Sequence, residues 1–406
     1  MTETNTTPGF SARLGRVQVA ATVQMTIRAR ELRAQGKDVI ALTIGEPDFD
    51  SPRHAIEAGY QAALKGETKY PPQDGVKALK EAIQRKFKRE NGLDYALDEI
   101  AVTNGGKQSI FNAFMATVNE ADEVIVPAPY WGAYPLMTKL MGGVPVVVNC
   151  PQNNGFKLRP EDLEAAITPK TKWLVLNFPN NPSGAACSHD EMRALAEVLA
   201  RHPHVWIMAD AMYEHLVYDG YPSVSMAQAA PELRDRTLLI CGVSKTYAMT
   251  GWRIGFSAGP RPLIKAMINM QGQATAGVSS VGQAAAAAAL DGPQENVEAM
   301  RQAYQRRRDL TVEMLNSCKG IVCHKPEGAF YVFPNIAGCL GRTTAGGRRI
   351  ETDQDFSQAL LEEKLVALVH GAAFGMSPYL RISTATNEQT LAEACTRIRA
   401  FCEGLH

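Results

Sequence analysis

Five short runs through the middle of the chain are almost free of polar residues: Glu123-Val124-Ile125-Val126, Pro145-Val146-Val147-Val148, Trp173-Leu174-Val175-Leu176, Val205-Trp206-Ile207-Met208 and Leu238-Leu239-Ile240. Runs this short and this continuously apolar predict strands buried on both faces, as in a mostly parallel sheet covered by helices. Between two of them, Glu191 to Ala200 reads as an amphipathic helix. Strand and helix therefore alternate in the doubly wound α/β manner. After Gly292-Pro293 the texture changes. Gln294 to Asn316 predicts one long, charged helix, and its Arg306-Arg307-Arg308-Asp309 run reads as a solvated face. Farther on, Gly328-Ala329-Phe330-Tyr331-Val332-Phe333, Ala367-Leu368-Val369-His370 and Tyr379-Leu380-Arg381-Ile382 predict strands of a smaller domain. Gly338 to Arg349, rich in Gly, Thr and Arg, reads as a loop. The Ala284 to Ala289 run predicts a helix packed closely against a neighbour.

At 406 residues the chain exceeds one comfortable core, so a large and a smaller domain are expected. Its 42 basic and 42 acidic residues cancel, which favours neither nucleic acid nor a membrane surface as partner. Eight scattered cysteines (150, 187, 241, 318, 323, 339, 395 and 402) form no Cys-x-x-Cys pair and fit a reduced, cytoplasmic setting. Met1 to Pro8 is polar and lacks the pattern of a signal peptide, and no run of eighteen apolar residues occurs. The eight histidines form no metal-spaced cluster, and His202-Pro203-His204 reads as the close of a helix before a strand.

The most informative chemistry follows the last of the five runs, in Gly242-Val243-Ser244-Lys245-Thr246-Tyr247-Ala248-Met249-Thr250-Gly251-Trp252-Arg253-Ile254-Gly255. A lysine held at the end of a buried strand loses its proton readily and attacks a carbonyl, because desolvation disfavours the ammonium. Arg253, eight residues on, supplies a positive fork of the kind that grips a phosphate. A Schiff-base amine beside a phosphate clamp points to pyridoxal 5'-phosphate (PLP).

Other residues join this pattern. Gly105-Gly106-Lys107-Gln108 follows a strand-like Ile100-Ala101-Val102-Thr103 and opens a helix, where backbone N–H groups meet anions. Asp210 ends the run Val205 to Ala209, at the sheet edge where α/β folds hold ligands. Alone, it would read as a helix N-cap. Beside Lys245 it reads as the carboxylate that keeps a pyridine nitrogen protonated. Arg381 sits in an apolar strand, which is costly unless it meets an anion. Asn181 lies in a rigid turn, Asn177-Phe178-Pro179-Asn180-Asn181-Pro182-Ser183-Gly184, that can aim its amide.

The segment Ser244 to Arg253 resembles the Schiff-base segment of the class I/II aminotransferases, in PLP fold type I. The likeness runs from about Gly45 to Arg381 and is nearest to bacterial aspartate aminotransferases of subgroup Ib. It implies a large domain at 48–292 and a small discontinuous α/β domain made of 1–47 and 293–406. It assigns Lys245 as the catalytic amine, Asp210 to the pyridine nitrogen, and Tyr213 (of Asp210-Ala211-Met212-Tyr213) with Asn181 to the phenolic oxygen. Gly106, Lys107, Ser244 and Arg253 are assigned to the phosphate, and Trp131 to stacking on the ring. Tyr70, in Lys69-Tyr70-Pro71-Pro72, is assigned to the phosphate of the other subunit in a homodimer with shared sites. Arg381 would take the substrate α-carboxylate and Lys107 a distal one. Gly45, in Ile44-Gly45-Glu46-Pro47-Asp48, would belong to a loop that closes over substrate.

Two positions depart from the subgroup. Gln18-Val19-Ala20-Ala21-Thr22 stands where many members carry Lys-Pro-Ser-Ala-Thr, and Ile44 stands at an often small position. Losing one charged hydrogen bond costs about 1.5–3 kcal/mol, enough to shift preference between amino acids. The expected activity is therefore ping-pong transfer of an amino group from an L-amino acid, best aspartate, to a 2-oxo acid, best 2-oxoglutarate. Aminotransfer from aromatic or other apolar amino acids and PLP-dependent β-lyase or decarboxylase chemistry remain alternatives on the same fold. A transcription regulator of this likeness would carry a DNA-binding module, and the segment before Gly45 has no basic helix-turn-helix pattern.

Overall fold

A computed structural model describes residues 9–18 and 21–406. The Met1 to Pro8 expectation, and Val19 and Ala20 of the N-terminal comparison, lie outside the described residues. Among the described residues there are twelve strands: β1 (Ile40–Ala41), β2 (Ile100–Thr103), β3 (Glu123–Ala128), β4 (Val144–Asn149), β5 (Thr171–Asn177), β6 (Trp206–Asp210), β7 (Thr237–Gly242), β8 (Gly255–Ala258), β9 (Tyr331–Val332), β10 (Val366–Ala367), β11 (Val369–His370) and β12 (Leu380–Ser383). Seven form one sheet in the order β2-β8-β7-β6-β5-β3-β4. All neighbours in it are parallel except β8, which runs antiparallel to both β7 and β2.

The central strands are buried along their length, as their apolar runs require. The Pro145–Val148 run is an exception. β4 is the outermost strand, with one neighbour, and leaves Val144 47% and Val147 48% exposed. A continuous apolar run identifies a strand without identifying its place in the sheet. Helix Ser280–Asp291, which contains the alanine run, packs on helix Arg53–Leu64. Gly59 permits the approach: a Cβ there would stand 2.9 Å from Trp252 and 3.4 Å from the Ala285 Cβ.

A second core gathers Ile40 and Leu42 with residues of 312–405. β1 pairs in parallel with β10 there, so the two ends of the chain share a sheet. The three-stranded sheet β11-β12-β9 carries Arg381 on its central strand. The expected strand at Gly328–Phe333 is shorter, because Ala329 adopts the left-handed region (φ 55°); only Tyr331–Val332 forms a strand, and Gly328 makes an isolated bridge to Val217.

The arginine run on helix Glu295–Asn316 is not a solvated face. Arg308 is 1% exposed and lies 4.7 Å from the Tyr218 ring centroid, with Nη1 donating to the Pro326 carbonyl at 2.9 Å. Arg307 is also buried and pairs with Asp48 at 2.7 Å. Consecutive helical residues are turned by about 100°, so a run of four charges sweeps around the helix and some of them face inward. Among the described residues no helix is long and apolar enough to cross a membrane, and no cluster of possible metal ligands occurs. All eight cysteines are buried and free.

Candidate active site

The parallel strands deliver their chemistry to one edge. Asn177 ends β5, Asp210 ends β6, and Lys245 lies three residues beyond the end of β7. Helix Gly106–Thr117 starts shortly after β2 and points its N-terminus at the same place. Together they enclose a cavity of about 560 Å³, the size of a small-molecule site. Gly45, Gly106, Lys107, Trp131, Asn181, Asp210, Tyr213, Ser244, Lys245, Arg253 and Arg381 all line it, and Ile44 does as well. Two residues named from sequence do not: Gln18 is exposed outside the lining, and Tyr70 is 97% exposed on its own loop.

Asp210 is the one carboxylate in the lining and is 5% exposed. Its Oδ2 accepts from the Tyr134 hydroxyl at 2.7 Å and its Oδ1 from the Met212 backbone N–H at 3.2 Å. Burial outweighs those two donors and raises its pKa above 3.8. No cation pairs with it among the described residues. A buried carboxylate held this way is complementary to a cationic ligand atom.

Arg381 has the opposite charge and a similar situation. It is 3% exposed, and Nη1 donates to Asn181 Oδ1 at 3.0 Å while Nη2 donates to the Thr43 carbonyl. Its Nε has no partner, and the guanidinium lies 4.8 Å from the Tyr331 ring centroid and 4.9 Å from that of Phe374. Burial lowers its pKa. Such a cation is complementary to a carboxylate.

Lys245 sits on a short helix, Val243–Thr246, and its Nζ donates to the Gly45 carbonyl at 2.6 Å. Burial brings its pKa down to about 8, opposed by Glu46 and assisted by Arg253 and Arg381. The amine is thus largely neutral not far above neutral pH, as a nucleophile or general base needs. Gly45 is fixed by packing, since a Cβ there would fall 1.9 Å from the Tyr331 hydroxyl oxygen.

The first turn of helix Gly106–Thr117 leaves the Gly106 and Lys107 N–H groups without intrahelical acceptors, while Gln108 N donates to the Gly105 carbonyl at 3.0 Å. Gly105, at φ 79°, lets Arg253 approach, because a Cβ would stand 2.4 Å from Nη2. Arg253 itself adopts the left-handed region (φ 57°) and is held by the Thr250 and Asn104 carbonyls at 3.0 and 3.2 Å. The free helix end and this guanidinium form an anion-binding corner. Lys107 lies 5.1 Å from the Trp131 ring centroid, and partial burial together with Arg253 lowers its pKa.

Sequence reasoning missed several lining residues. Tyr134 holds Asp210, and Tyr331 holds Tyr213 through hydroxyl oxygens 2.9 Å apart. Asn177 links the site: its Nδ2 donates to the Asp210 carbonyl at 3.1 Å and its Oδ1 accepts from the Asn181 backbone N–H at 2.9 Å. Helix Ala21–Ala34 adds Thr22, Val23, Thr26, Ile27 and Arg30. Tyr134, three residues from Trp131, drew no reading and Tyr331 lay in an expected strand, and nothing local marked their hydroxyls.

A family model described as "Aminotransferase class I and II" matches residues 37–398. The chain is 56% identical to the aspartate/prephenate aminotransferase of Cereibacter sphaeroides over 98% of this chain and 99% of that one. Among solved structures, the aspartate aminotransferase of Rhizobium meliloti is similar at a TM-score of 0.96 and 52% identity, covering 98% of this chain and 100% of that one. The aspartate aminotransferase of Thermus thermophilus, solved with maleate, is similar at a TM-score of 0.90 and 41% identity, covering 97% and 100%.

Proposed function

This chain belongs to the class I and II aminotransferases, PLP enzymes of α/β fold, and from that premise we propose that it moves the amino group of L-aspartate to 2-oxoglutarate by a ping-pong route, giving oxaloacetate and L-glutamate. The observation that carries the site assignment is a pair of opposite buried charges lining one cavity, Asp210 and Arg381, neither with a counter-ion among the described residues. The donor set suits PLP. Asp210 is the partner for the protonated pyridine nitrogen, and Tyr213 and Asn181 are the partners for the phenolic oxygen. Trp131 supports the ring face, while the Gly106 and Lys107 N–H groups, Ser244 and Arg253 hold the phosphate. When bound, the cofactor stores the amino group between half-reactions and delocalises the electron pair left by the departing Cα proton.

Every other task falls to the chain. Arg381 grips the α-carboxylate in a forked pair of hydrogen bonds and so orients the Cα–H bond toward Lys245. With the cofactor bound, the Lys245 amine would serve as the base for the substrate's Cα proton and hold it as an ammonium beside the Gly45 carbonyl. Glu46 and Gly45 sit at its ammonium, the first through charge and the second through its carbonyl, and receive the positive charge that results. The names of similar proteins support aspartate, and prephenate is a further 2-oxo acid that they suggest.

The same reading takes 48–292 as the large domain and 1–47 with 293–406 as the small one, supported by the β1–β10 pairing and the separate cores. It takes the assembly as a homodimer in which Tyr70 of each subunit completes the other's phosphate site. Tyr70's exposure and the exposed Ile56, Tyr60 and Leu64 on helix Arg53–Leu64 support that arrangement. Buried, unpaired cysteines support a cytoplasmic location.

The decisive experiment incubates the PLP-loaded enzyme with aspartate alone. One equivalent of oxaloacetate per site, followed by glutamate on adding 2-oxoglutarate, is expected. Sustained release of pyruvate and ammonia would replace transamination with lyase chemistry. Lys245→Ala should lose the absorbance of the lysine-linked cofactor and slow turnover by orders of magnitude.

A further inference from the structure

Outside the cavity lining, a cluster of polar side chains joins the turns that carry Tyr213 and Lys245. His215 is two residues beyond Tyr213, and Thr246 is next to Lys245. His215 Nδ1 lies 3.1 Å from the Thr246 hydroxyl oxygen, and its Nε2 lies 2.9 Å from Glu90 Oε2. Glu90 belongs to a single π turn, Phe87–Asn91, that prolongs helix Lys77–Lys86. The buried Lys86 ammonium donates to Glu214 and Asn91 and stands 3.6 Å from Glu90, while Asn91 Nδ2 donates to Glu214 Oε2 at 3.0 Å. Glu90 is thus a fixed carboxylate. Burial pushes its pKa up, and the bond to His215 together with the Lys86 charge brings it below the ordinary value. An ionised carboxylate only accepts, so His215 Nε2 carries a proton. In the neutral ring Nδ1 is then the acceptor, and the Thr246 hydroxyl donates to it.

Carboxylate, imidazole and hydroxyl stand here in the order of a hydrolase triad. Thr246, however, is 2% exposed and does not line the cavity, so its hydroxyl meets no substrate. What that hydroxyl can do is hold the backbone. Helix Val243–Thr246 is a single turn, too short to keep its own shape. Side chains tie it down instead: Thr246 at His215, Tyr247 at Gln294 and Lys245 at the Gly45 carbonyl. Of these three bonds, the first runs to the turn that carries Tyr213. A small rotation of the turn is carried to the far end of the lysine side chain, where a displacement of about 1 Å can cost about 100-fold in rate.

We propose that His215 is a positioning residue for the Lys245 amine. Braced by Glu90 on one side, it pins the one-turn helix through the Thr246 hydroxyl and so fixes where the amine stands relative to Tyr213. This rests on the aminotransferase reading, in which Lys245 links the cofactor and serves as the base. It assigns the buried cluster a task in the reaction and keeps His215 itself away from substrate and cofactor.

The test uses four variants. Thr246→Val keeps the side-chain shape and removes the hydroxyl, and His215→Phe keeps a ring and removes both bonds. Thr246→Ser retains the hydroxyl, and His215→Asn retains an acceptor near the place of Nδ1. Steady-state rates are measured for aspartate with 2-oxoglutarate, with hydrogen and with deuterium at Cα. The rate at which PLP becomes linked to the cofactor-free chain is followed by absorbance. Thr246→Val and His215→Phe should lower kcat by about 3- to 10-fold, as loss of one buried hydrogen bond predicts, with each KM changed by less than about 2-fold. The isotope effect on kcat should be no smaller than in the wild type, because the slowed step is proton transfer. PLP linkage uses the same amine and should slow by a similar factor. Thr246→Ser and His215→Asn should recover most of both losses. His215→Phe/Thr246→Val should be no slower than the slower single variant, since both act through one bond. A lower melting temperature with unchanged kcat and linkage rate would reduce the cluster to packing and overturn the proposal, as would losses that multiply in the double variant. Failure of the wild-type enzyme itself to consume aspartate would instead sink the broader functional reading.

Discussion

Removing a single hydroxyl, in Tyr134→Phe, tests the electrostatics of the site with little change in packing. That hydroxyl is one of two donors to a carboxylate that is otherwise buried, 2.7 Å from Asp210 Oδ2. A hydrogen bond to a charged group is worth about 1.5–3 kcal/mol, and 1.36 kcal/mol corresponds to about one pKa unit. The pKa of Asp210, already raised by burial, should therefore climb further once the Tyr134 donor is gone. Two opposite pH dependences follow. In the cofactor-free chain Asp210 titrates above its unfolded value of 3.8. The fold then binds more protons than the unfolded chain between those two values, so stability rises as pH falls through that window. Holding the pyridinium needs the ionised carboxylate, so cofactor affinity falls as pH falls through the folded pKa. Tyr134→Phe should move the folded-state transition to higher pH in both measurements and weaken PLP binding about 10- to 100-fold, as loss of about 1.5–3 kcal/mol predicts. Thermal melts of the cofactor-free chain and absorbance titrations with PLP, both run against pH, measure the two effects. A variant that keeps wild-type affinity and an unmoved acid limb would show that Asp210 is not the group holding the cofactor ring.

Three further outcomes are expected. Gly45→Ala puts a Cβ 1.9 Å from the Tyr331 hydroxyl oxygen. It should cost about 1–3 kcal/mol in denaturant unfolding and depress kcat, with Tyr331→Phe recovering part of the stability. Lys86, 1% exposed, pairs with half-buried Glu214, whose pKa it helps hold at about 2 against the desolvation that would raise it. Lys86→Met should destabilise by about 3–5 kcal/mol near neutral pH. That penalty should shrink in acid, where Glu214 protonates, and Lys86→Met/Glu214→Gln should restore much of the loss. For Tyr70, mixed dimers of Tyr70→Phe and Lys245→Ala chains should regain activity that neither parent has, because one site then receives both intact residues. No recovery after verified subunit exchange would place Tyr70 outside the partner's site.

The central strands and their order of appearance were legible because continuous apolar runs are a direct consequence of burial on both faces. What a run cannot encode is its neighbour, so the exposed edge position of β4 was invisible in Pro145–Val148. The charge run at Arg306–Asp309 misled for a related reason. Polarity reports an average preference, whereas Arg308 finds Tyr218, Asp219 and Pro326 from distant parts of the chain. The site divides in the same way. Lys245, Asp210 and Arg381 stood out because each is an ionisable residue inside or beside an apolar run, a local contradiction that asks for a reason. Tyr134 and Tyr331 contradict nothing locally, since an aromatic ring belongs in a core. Arg30 was equally silent, being one of three arginines on a polar helix until the fold brought its face to the cavity.

The separation of Asp210 from Arg381 is itself part of the design of the site. Two opposite charges buried at one cavity would relieve each other by pairing, and the empty chain would gain stability. A strut of amides stands between them instead. Arg381 donates to Asn181, the Asn181 backbone donates to Asn177, and Asn177 donates to the carbonyl of Asp210. Each link is anchored at a strand end or in the Asn180–Gly184 turn, where Asn180 Oδ1 accepts from the Ser183 N–H and hydroxyl. The fold keeps both charges under-satisfied and facing the same space, so each retains its pull for a different partner: Asp210 for a cationic ring nitrogen and Arg381 for a substrate carboxylate. Stability that pairing them would have added to the chain is returned as affinity and orientation for those two groups, and because the cavity is shared, the carboxylate held at Arg381 is brought up to the ring held at Asp210.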